Sequence, residues 1–127
     1  MNDGLITARS ANDFSTTVSR LTAAIMARSM TLFAVVDHAD GAELAGLELG
    51  PTTLVIFGNA KGGTPLMQKN QRAGIDLPLK VLVWRDANGV WLTANDSAWI
   101  AQRHGLDTRL ADGLAAALQA VMDEAAR

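Results

Sequence analysis

The chain has 127 residues, which is enough for one domain with a real core and too few for two, so we predict a single domain over residues 1–127. Its 11 basic and 13 acidic residues give a net charge of -2, and its pI is near 5.5, which argues against a nucleic-acid or anionic-membrane partner. With no Cys, the chain cannot form disulfides, thiolate metal sites or a cysteine nucleophile. Residues 1–4 carry no basic signal-peptide region and no long apolar run follows, so we expect a cytoplasmic protein.

The first half of the chain predicts strands that alternate with helices. Apolar residues from Phe14 to Met26 recur at three- and four-residue spacing, which indicates a helix that ends between residues 28 and 30. Residues 5–8, 32–36 and 51–57 favour strands, and 42–47 is ambiguous. After the third strand, residues 58–63 predict a flexible glycine-rich loop. Thr64 then caps a short helix that reaches about Ala73.

The second half begins with the clearest local signal in the chain, a hairpin. Residues 80–85 and 90–93 favour strands, and Asn88-Gly89 supplies the turn between them. Asp96 is a candidate cap for a helix that stops at Gly105, and apolar residues spaced from Leu106 to Met122 predict a C-terminal helix. This order of elements predicts an α+β domain with a largely antiparallel sheet and helices packed on one face.

The predicted strands are apolar on both faces, whereas a sheet with one wet face alternates apolar and polar residues. In 33–36, 54–57 and 81–84, for example, consecutive residues are apolar almost without interruption. The second face must therefore be covered, either by the remaining helices or by another subunit. We expect a homodimer, with a three-layer monomer as the alternative.

Several short segments together give the chain a family resemblance. In order and spacing these are Asp37-His38, residues 46–49 with 51–53, Phe57-Gly58-Asn59 with Lys61-Gly62, residues 77–80 and residues 88–91. From Phe14 to Gly105 the chain resembles the domain of unknown function 302 family, also called TT1751-like. The resemblance implies a TATA-binding-protein-like α+β fold and frequent homodimers, and brings no known activity, cofactor or catalytic residue. Where the family usually has Pro after Gly-Asn, this chain has Ala60.

The glycine-rich segment is the strongest candidate binding site in the sequence. Its glycines allow backbone N–H groups to converge at a helix N-terminus, and Lys61 could add a full positive charge for a small anionic ligand. The segment is not a nucleotide P-loop, because no Ser or Thr directly follows the lysine. A turn that only caps a helix remains the alternative. The candidate ligand-binding residues are Gly58, Asn59, Lys61, Gly62, Gly63 and Thr64.

Catalytic signals are weaker. His38 follows Asp37 at a strand end, so it is a candidate base or metal ligand, although a surface or capping histidine explains it as well. Two His and no Cys predict no dedicated metal site, and nothing indicates a cofactor. The leading hypothesis is a dimeric module, non-enzymatic or weakly catalytic, that binds a small anionic molecule at the glycine-rich segment. The alternatives are an enzyme that uses His38 with nearby carboxylates, and a purely structural or protein-interaction domain.

Overall fold

The computed structural model describes residues 3–127, so Met1 and Asn2, which enter the localisation and domain predictions, lie outside the described residues. The described residues form five strands, five α-helices and two short 3-10 helices. In chain order these are β1 (Leu5–Arg9), α1 (Phe14–Ala27), β2 (Thr31–Asp37), α2 (His38–Leu44), β3 (Thr52–Gly58), α3 (Ala60–Lys69), a 3-10 helix (Gln71–Ile75), β4 (Leu79–Asp86), β5 (Gly89–Asn95), α4 (Ser97–Arg103), a 3-10 helix (Thr108–Ala111) and α5 (Asp112–Ala126).

The strands form one sheet in the order β1-β5-β4-β3-β2, and every neighbouring pair is antiparallel. Helices α1 and α5 pack against each other and against one face of this sheet. The core lies between these layers and includes Val55, Phe57 and Val81 from the sheet, which are fully buried. The predicted α+β class, with helices on one face of an antiparallel sheet, is confirmed.

Local side chains define several element boundaries. The Asp13 carboxylate accepts a hydrogen bond from the backbone N–H of Thr16 at the start of α1. Asp96 caps α4 through the N–H of Ala98. In the hairpin, Gly89 has φ of 151°, in the region where a side chain would be strained, so the glycine that the sequence offers is needed there.

Two predicted helices have wrong boundaries. The helix expected after residue 63 begins at Ala60 instead, so Pro65 lies inside it and Thr64 is not its cap; it ends at Lys69. The C-terminal helix begins at Asp112 and excludes Leu106 and Leu110, which still pack against the core from outside the helix. In both cases the apolar pattern is the same for a helix and for a short 3-10 segment beside one.

Candidate functional site

The glycine-rich segment forms the first turns of α3 and is not a free loop. Asn59 is the cap: its side-chain oxygen accepts a hydrogen bond from the Gly62 N–H at 2.8 Å, and its backbone oxygen accepts from the Gly63 N–H at 3.3 Å. Among residues 3–127, no acceptor is present for the backbone N–H groups of Ala60 and Lys61. These two donors and the helix dipole therefore leave partial positive charge at the start of α3.

A pocket of about 250 Å³ lies beside this turn. It is lined mostly by apolar side chains, and the start of α3 forms part of its wall. The lining residues are Phe33, Gly58, Asn59, Ala60, Gly63, Thr64, Met67, Leu77, Pro78, Leu79 and Leu114. The pocket can hold a molecule of roughly eight heavy atoms, at ~30 Å³ for each water-sized group.

A β-bulge brings Phe33 to the pocket. The register between β2 and β3 shifts between Leu32, which pairs with Phe57, and Ala34, which pairs with Ile56. The extra residue, Phe33, is 56% exposed and forms part of the pocket rim. Regular alternation along the strand gave no signal of the bulge, so sequence analysis missed this residue.

Two of the predicted ligand-binding residues do not line the pocket. Lys61 is exposed and Gly62 faces α5, where a Cβ atom at position 62 would lie 2.9 Å from Leu114 Cδ2. Close helix packing therefore accounts for Gly62. The other four predicted residues, Gly58, Asn59, Gly63 and Thr64, line the pocket together.

The structure separates His38 from the glycine-rich segment. Asp37 pairs with Thr53 at one end of the β2–β3 ladder, whereas Thr31 pairs with Gly58 at the other. At ~3.4 Å per strand residue these ends are about 20 Å apart. His38 is exposed at the start of α2, and the Asp37 carboxylate caps that helix by accepting from the Asp40 N–H. Catalysis by His38 beside the glycine-rich segment would need a shared cleft, and this topology does not form one.

A second histidine, which the sequence presented only as a helix-terminal residue, belongs to a polar cluster. His104 Nε2 lies 2.6 Å from Asp76 Oδ2, and Arg103 Nη1 lies 3.0 Å from Asp76 Oδ1. The side chains of His104 and Asp76 are only 7% and 14% exposed. The two residues are 28 positions apart, so no local motif could have shown that they meet.

The second sheet face carries no helix layer. Its residues are half-buried or exposed, and within 3–127 none of them belongs to the core. The apolar members, placed by the strand register, are Leu5, Ala34, Val36, Leu54, Ile56, Leu82, Trp84 and Trp91. Helices α3 and α4 pack against 3-10 helices and α5 instead, whereas α2 contacts β3. Helices α3 and α4 therefore do not cover this face.

Indole groups on this face have their N–H donors satisfied. Trp84 Nε1 donates to Thr93 Oγ1 and Trp91 Nε1 donates to the Asp86 carboxylate, both at 2.9 Å, and the two rings stack with centroids 6.0 Å apart. The bond from Trp91, followed by that from the Asn88 backbone, lowers the pKa of Asp86 below its usual value. The rings thus present carbon surface that can lose water without leaving an unpaired donor.

Comparison with known proteins shows the family and the fold of this chain. Residues 6–125 match the family described as Domain of unknown function DUF302. The chain belongs to the DUF302 family. This membership confirms the predicted resemblance, and it extends beyond Phe14–Gly105 to include β1 and α5.

A solved DUF302 structure has the same fold as this chain. The crystal structure of an uncharacterized conserved DUF302 protein from Bacillus stearothermophilus superimposes with a TM-score of 0.87, covering 99% of this chain and 100% of that one. Sequence identity is 15%, so the likeness speaks for the fold alone.

Curated relatives of this DUF302 chain are longer proteins. Chains from Brucella suis and Brucella abortus, both named fluoride-specific ion channel FluC 1, are 48% identical over 107 residues. The match covers 84% of this chain but only 42% and 40% of those two relatives, so more than half of each relative lies outside it. Within residues 3–127, no helix is both long enough and apolar enough to cross a membrane.

Proposed function

We propose that this DUF302 domain is a homodimeric module that binds a small anion with an apolar tail in the pocket beside α3. The observation that carries the proposal is the pairing of an apolar pocket of about 250 Å³ with the helix N-terminus in its wall. Backbone N–H groups at a helix start attract a carboxylate or similar anion, while the pocket walls favour hydrocarbon. A short-chain carboxylate has both properties.

The hydrogen bonds already formed at the start of α3 limit how many donors a ligand in the pocket can use. Asn59 already accepts from the N–H groups of Gly62 and Gly63, so the N–H of Ala60, which lines the pocket, is the donor left for the ligand. Lys61 is exposed and adds its charge from solvent, where screening weakens it. The apolar tail, packed against side chains such as Met67 and Leu114, supplies most of the affinity.

Binding can be tested with hexanoate and hexanol, which share a chain length and differ in charge. We expect hexanoate to shift the amide NMR signals of Ala60 and Gly63 and to bind more tightly than hexanol. Gly63→Ala places a methyl group in the pocket at ordinary contact distance from Leu77, so it should weaken hexanoate binding at least several-fold. The matched control, Gly41→Ala, adds a methyl in open space on α2. Equal binding of hexanoate and hexanol would refute the anionic component, and no binding of either would refute the pocket.

The uncovered sheet face supports the homodimer. Five strands about 4.8 Å apart and about 20 Å long give a flat footprint of about 500 Å², the order of area that a small dimer buries on each partner. Satisfied indole donors and stacked rings make this face suitable for burial. The second copy would cover the apolar residues that α1 and α5 leave open.

Sedimentation velocity at micromolar concentration tests the dimer. We expect the wild-type chain to sediment as a dimer and Leu82→Glu, at the centre of the face, to sediment as a folded monomer, because burying an unpaired carboxylate is costly. Leu44→Glu is the control, since Leu44 is 84% exposed on α2 and is not one of the strand residues of the face. A monomeric wild-type protein would contradict the proposal.

A second candidate function, protein interaction, rests on a different surface. Leu44, Leu47 and Leu49 are 84%, 67% and 51% exposed on α2 and the segment that follows. Exposed leucines so close together indicate a contact surface. Because more than half of each Brucella relative lies outside the match, we propose that such a surface docks a DUF302 domain onto the rest of the relative's chain, or onto a separate protein equivalent to it.

This candidate is tested by co-expressing the present chain with the unmatched part of the Brucella suis relative. We expect the two to co-purify in detergent and the complex to be lost with Leu44→Glu and Leu47→Glu together, while Leu82→Glu leaves it intact. Failure to co-purify, or a complex insensitive to the leucine substitutions, would remove this candidate.

A further inference from the structure

We propose a second ligand site, separate from the α3 pocket, in which His104 and two arginines bind the oxyanion of a phosphate group. A broad open cleft of about 830 Å³ runs between the 3-10 helix Gln71–Ile75 and the C-terminal end of α4. Arg72, Arg103 and His104 all line it. Asn70 links the two sides of the cleft, because its side-chain N–H donates to the His104 backbone oxygen at 3.1 Å.

The His104 imidazole is held in one orientation. Its Nε2 lies 2.6 Å from the Asp76 carboxylate, which also accepts from Arg103 Nη1 at 3.0 and 3.1 Å. Because a carboxylate only accepts, the Nε2 atom carries the proton in the neutral ring. The side chain is 7% exposed, so its position does not depend on a flexible surface rotamer.

The other ring nitrogen is available to a ligand. Within the described part of the chain, His104 Nδ1 has no hydrogen-bond partner, and it is not among the fully buried unpaired atoms, so it retains access to the cleft. In the neutral ring this nitrogen is an acceptor. A ligand oxygen that carries a proton can therefore donate to it.

Charge in the cleft favours an anion. The Asp76 carboxylate already accepts hydrogen bonds from Arg103 and His104. Lys80 Nζ donates to the Asp76 backbone oxygen at 3.3 Å. Residues 3–127 offer no hydrogen-bond acceptor to the Arg72 guanidinium, and Arg103 uses only Nη1 on Asp76. Free arginine donors suit phosphate geometry. A phosphate O–H can also donate to Nδ1, whereas sulfate at neutral pH has no O–H to donate.

This cleft shares no lining residue with the pocket beside α3, so the two sites can be tested independently. Isothermal titration calorimetry at pH 7 with inorganic phosphate, phenyl phosphate and sulfate is the experiment, paired with NMR of the two histidine rings. We expect phosphate to bind more tightly than sulfate and to shift the His104 ring signals while leaving those of His38 unchanged. At pH 7 phenyl phosphate is mostly a dianion with no O–H, so we expect it to bind less tightly than inorganic phosphate. Tighter binding of phenyl phosphate would contradict the donation of a ligand O–H to Nδ1.

Matched substitutions keep the test decisive. Arg72→Ala, an exposed change, should weaken phosphate binding about tenfold, the scale of one charge-assisted hydrogen bond. His104→Gln should abolish the preference for phosphate over sulfate. The controls are Arg85→Ala, on an exposed strand position, and His38→Gln. Equal affinity for phosphate and sulfate, no binding of either, or binding unchanged by Arg72→Ala would overturn the proposal, even if His104→Gln failed to fold.

Discussion

Adjacent glycines in the first turns of α3 should respond in opposite ways to the same substitution. Alanine at either Gly62 or Gly63 removes backbone freedom from the unfolded chain and improves helix propensity. The surroundings differ. A Cβ at position 63 would lie 3.5 Å from Leu77 Cδ1, an ordinary contact, whereas a Cβ at position 62 would lie 2.9 Å from Leu114 Cδ2.

The magnitude follows from these two terms. Replacing a helical glycine by alanine stabilises by about 0.5–1 kcal/mol. At position 62 the added methyl must displace Leu114, which is only 6% exposed, and overpacking of this kind costs about 1–3 kcal/mol. We therefore expect Gly63→Ala to raise the free energy of unfolding by up to about 1 kcal/mol, and Gly62→Ala to lower it by about 0.5–2 kcal/mol.

Thermal unfolding followed by circular dichroism measures the difference. For 127 residues, 1 kcal/mol corresponds to a change in Tm of about 4 °C, so the two variants should unfold several degrees apart. Gly62→Ala combined with Leu114→Ala should lose the repulsive part of the effect, which a double-mutant cycle would detect. Equal Tm values for the two single variants would refute the reasoning from the Leu114 contact.

Three further predictions concern stability. Hydrogen bonds from the Arg109 side chain and backbone hold the pKa of Asp107 at about 2, against an ordinary 3.8. The ionised Asp107 therefore stabilises the fold fully above pH 3.8, and this stabilisation is lost as the pH falls towards 2. In urea unfolding across this range, the free energy of unfolding should fall less steeply for Asp107→Asn than for the wild type, and identical pH profiles would contradict this. Asp96→Ala removes the cap of α4 and should cost about 1 kcal/mol in the same assay, with no change counting against the cap. Leu66→Ala leaves a cavity at a fully buried position in α3 and should lower the free energy of unfolding by about 2–5 kcal/mol. A decrease of less than about 1 kcal/mol would mean that neighbouring side chains fill the cavity.

Local patterns in the sequence are sufficient for most of the secondary structure. The helix at Phe14–Ala27, the hairpin around Gly89 and the helix capped by Asp96 all follow from nearby residues, because capping and turn formation depend on neighbours a few positions away. The start of α3 was missed. Asn59 and Thr64 are both suitable caps, and tertiary packing of Gly62 against Leu114 favours the earlier one.

The candidate sites depend much more on long-range contacts. Four of the six predicted pocket residues line the pocket because they share one helix start, yet Phe33, Leu77 and Leu114 reach it from distant parts of the chain. No spacing in the sequence relates these residues. The function of the pocket and the dimer remain predictions.

By itself the sequence determined the α+β class, the presence of two apolar sheet faces and the family, since these follow from composition, periodicity and linear motifs. Only the tertiary structure decided which sheet face the helices cover. It also decided that His38 lies far from the glycine-rich segment and that His104 forms a hydrogen bond with Asp76. The physical reason is register: strand pairing and helix docking select among contacts that are equally compatible with the local pattern, and a shift of one residue exchanges the two faces of a strand.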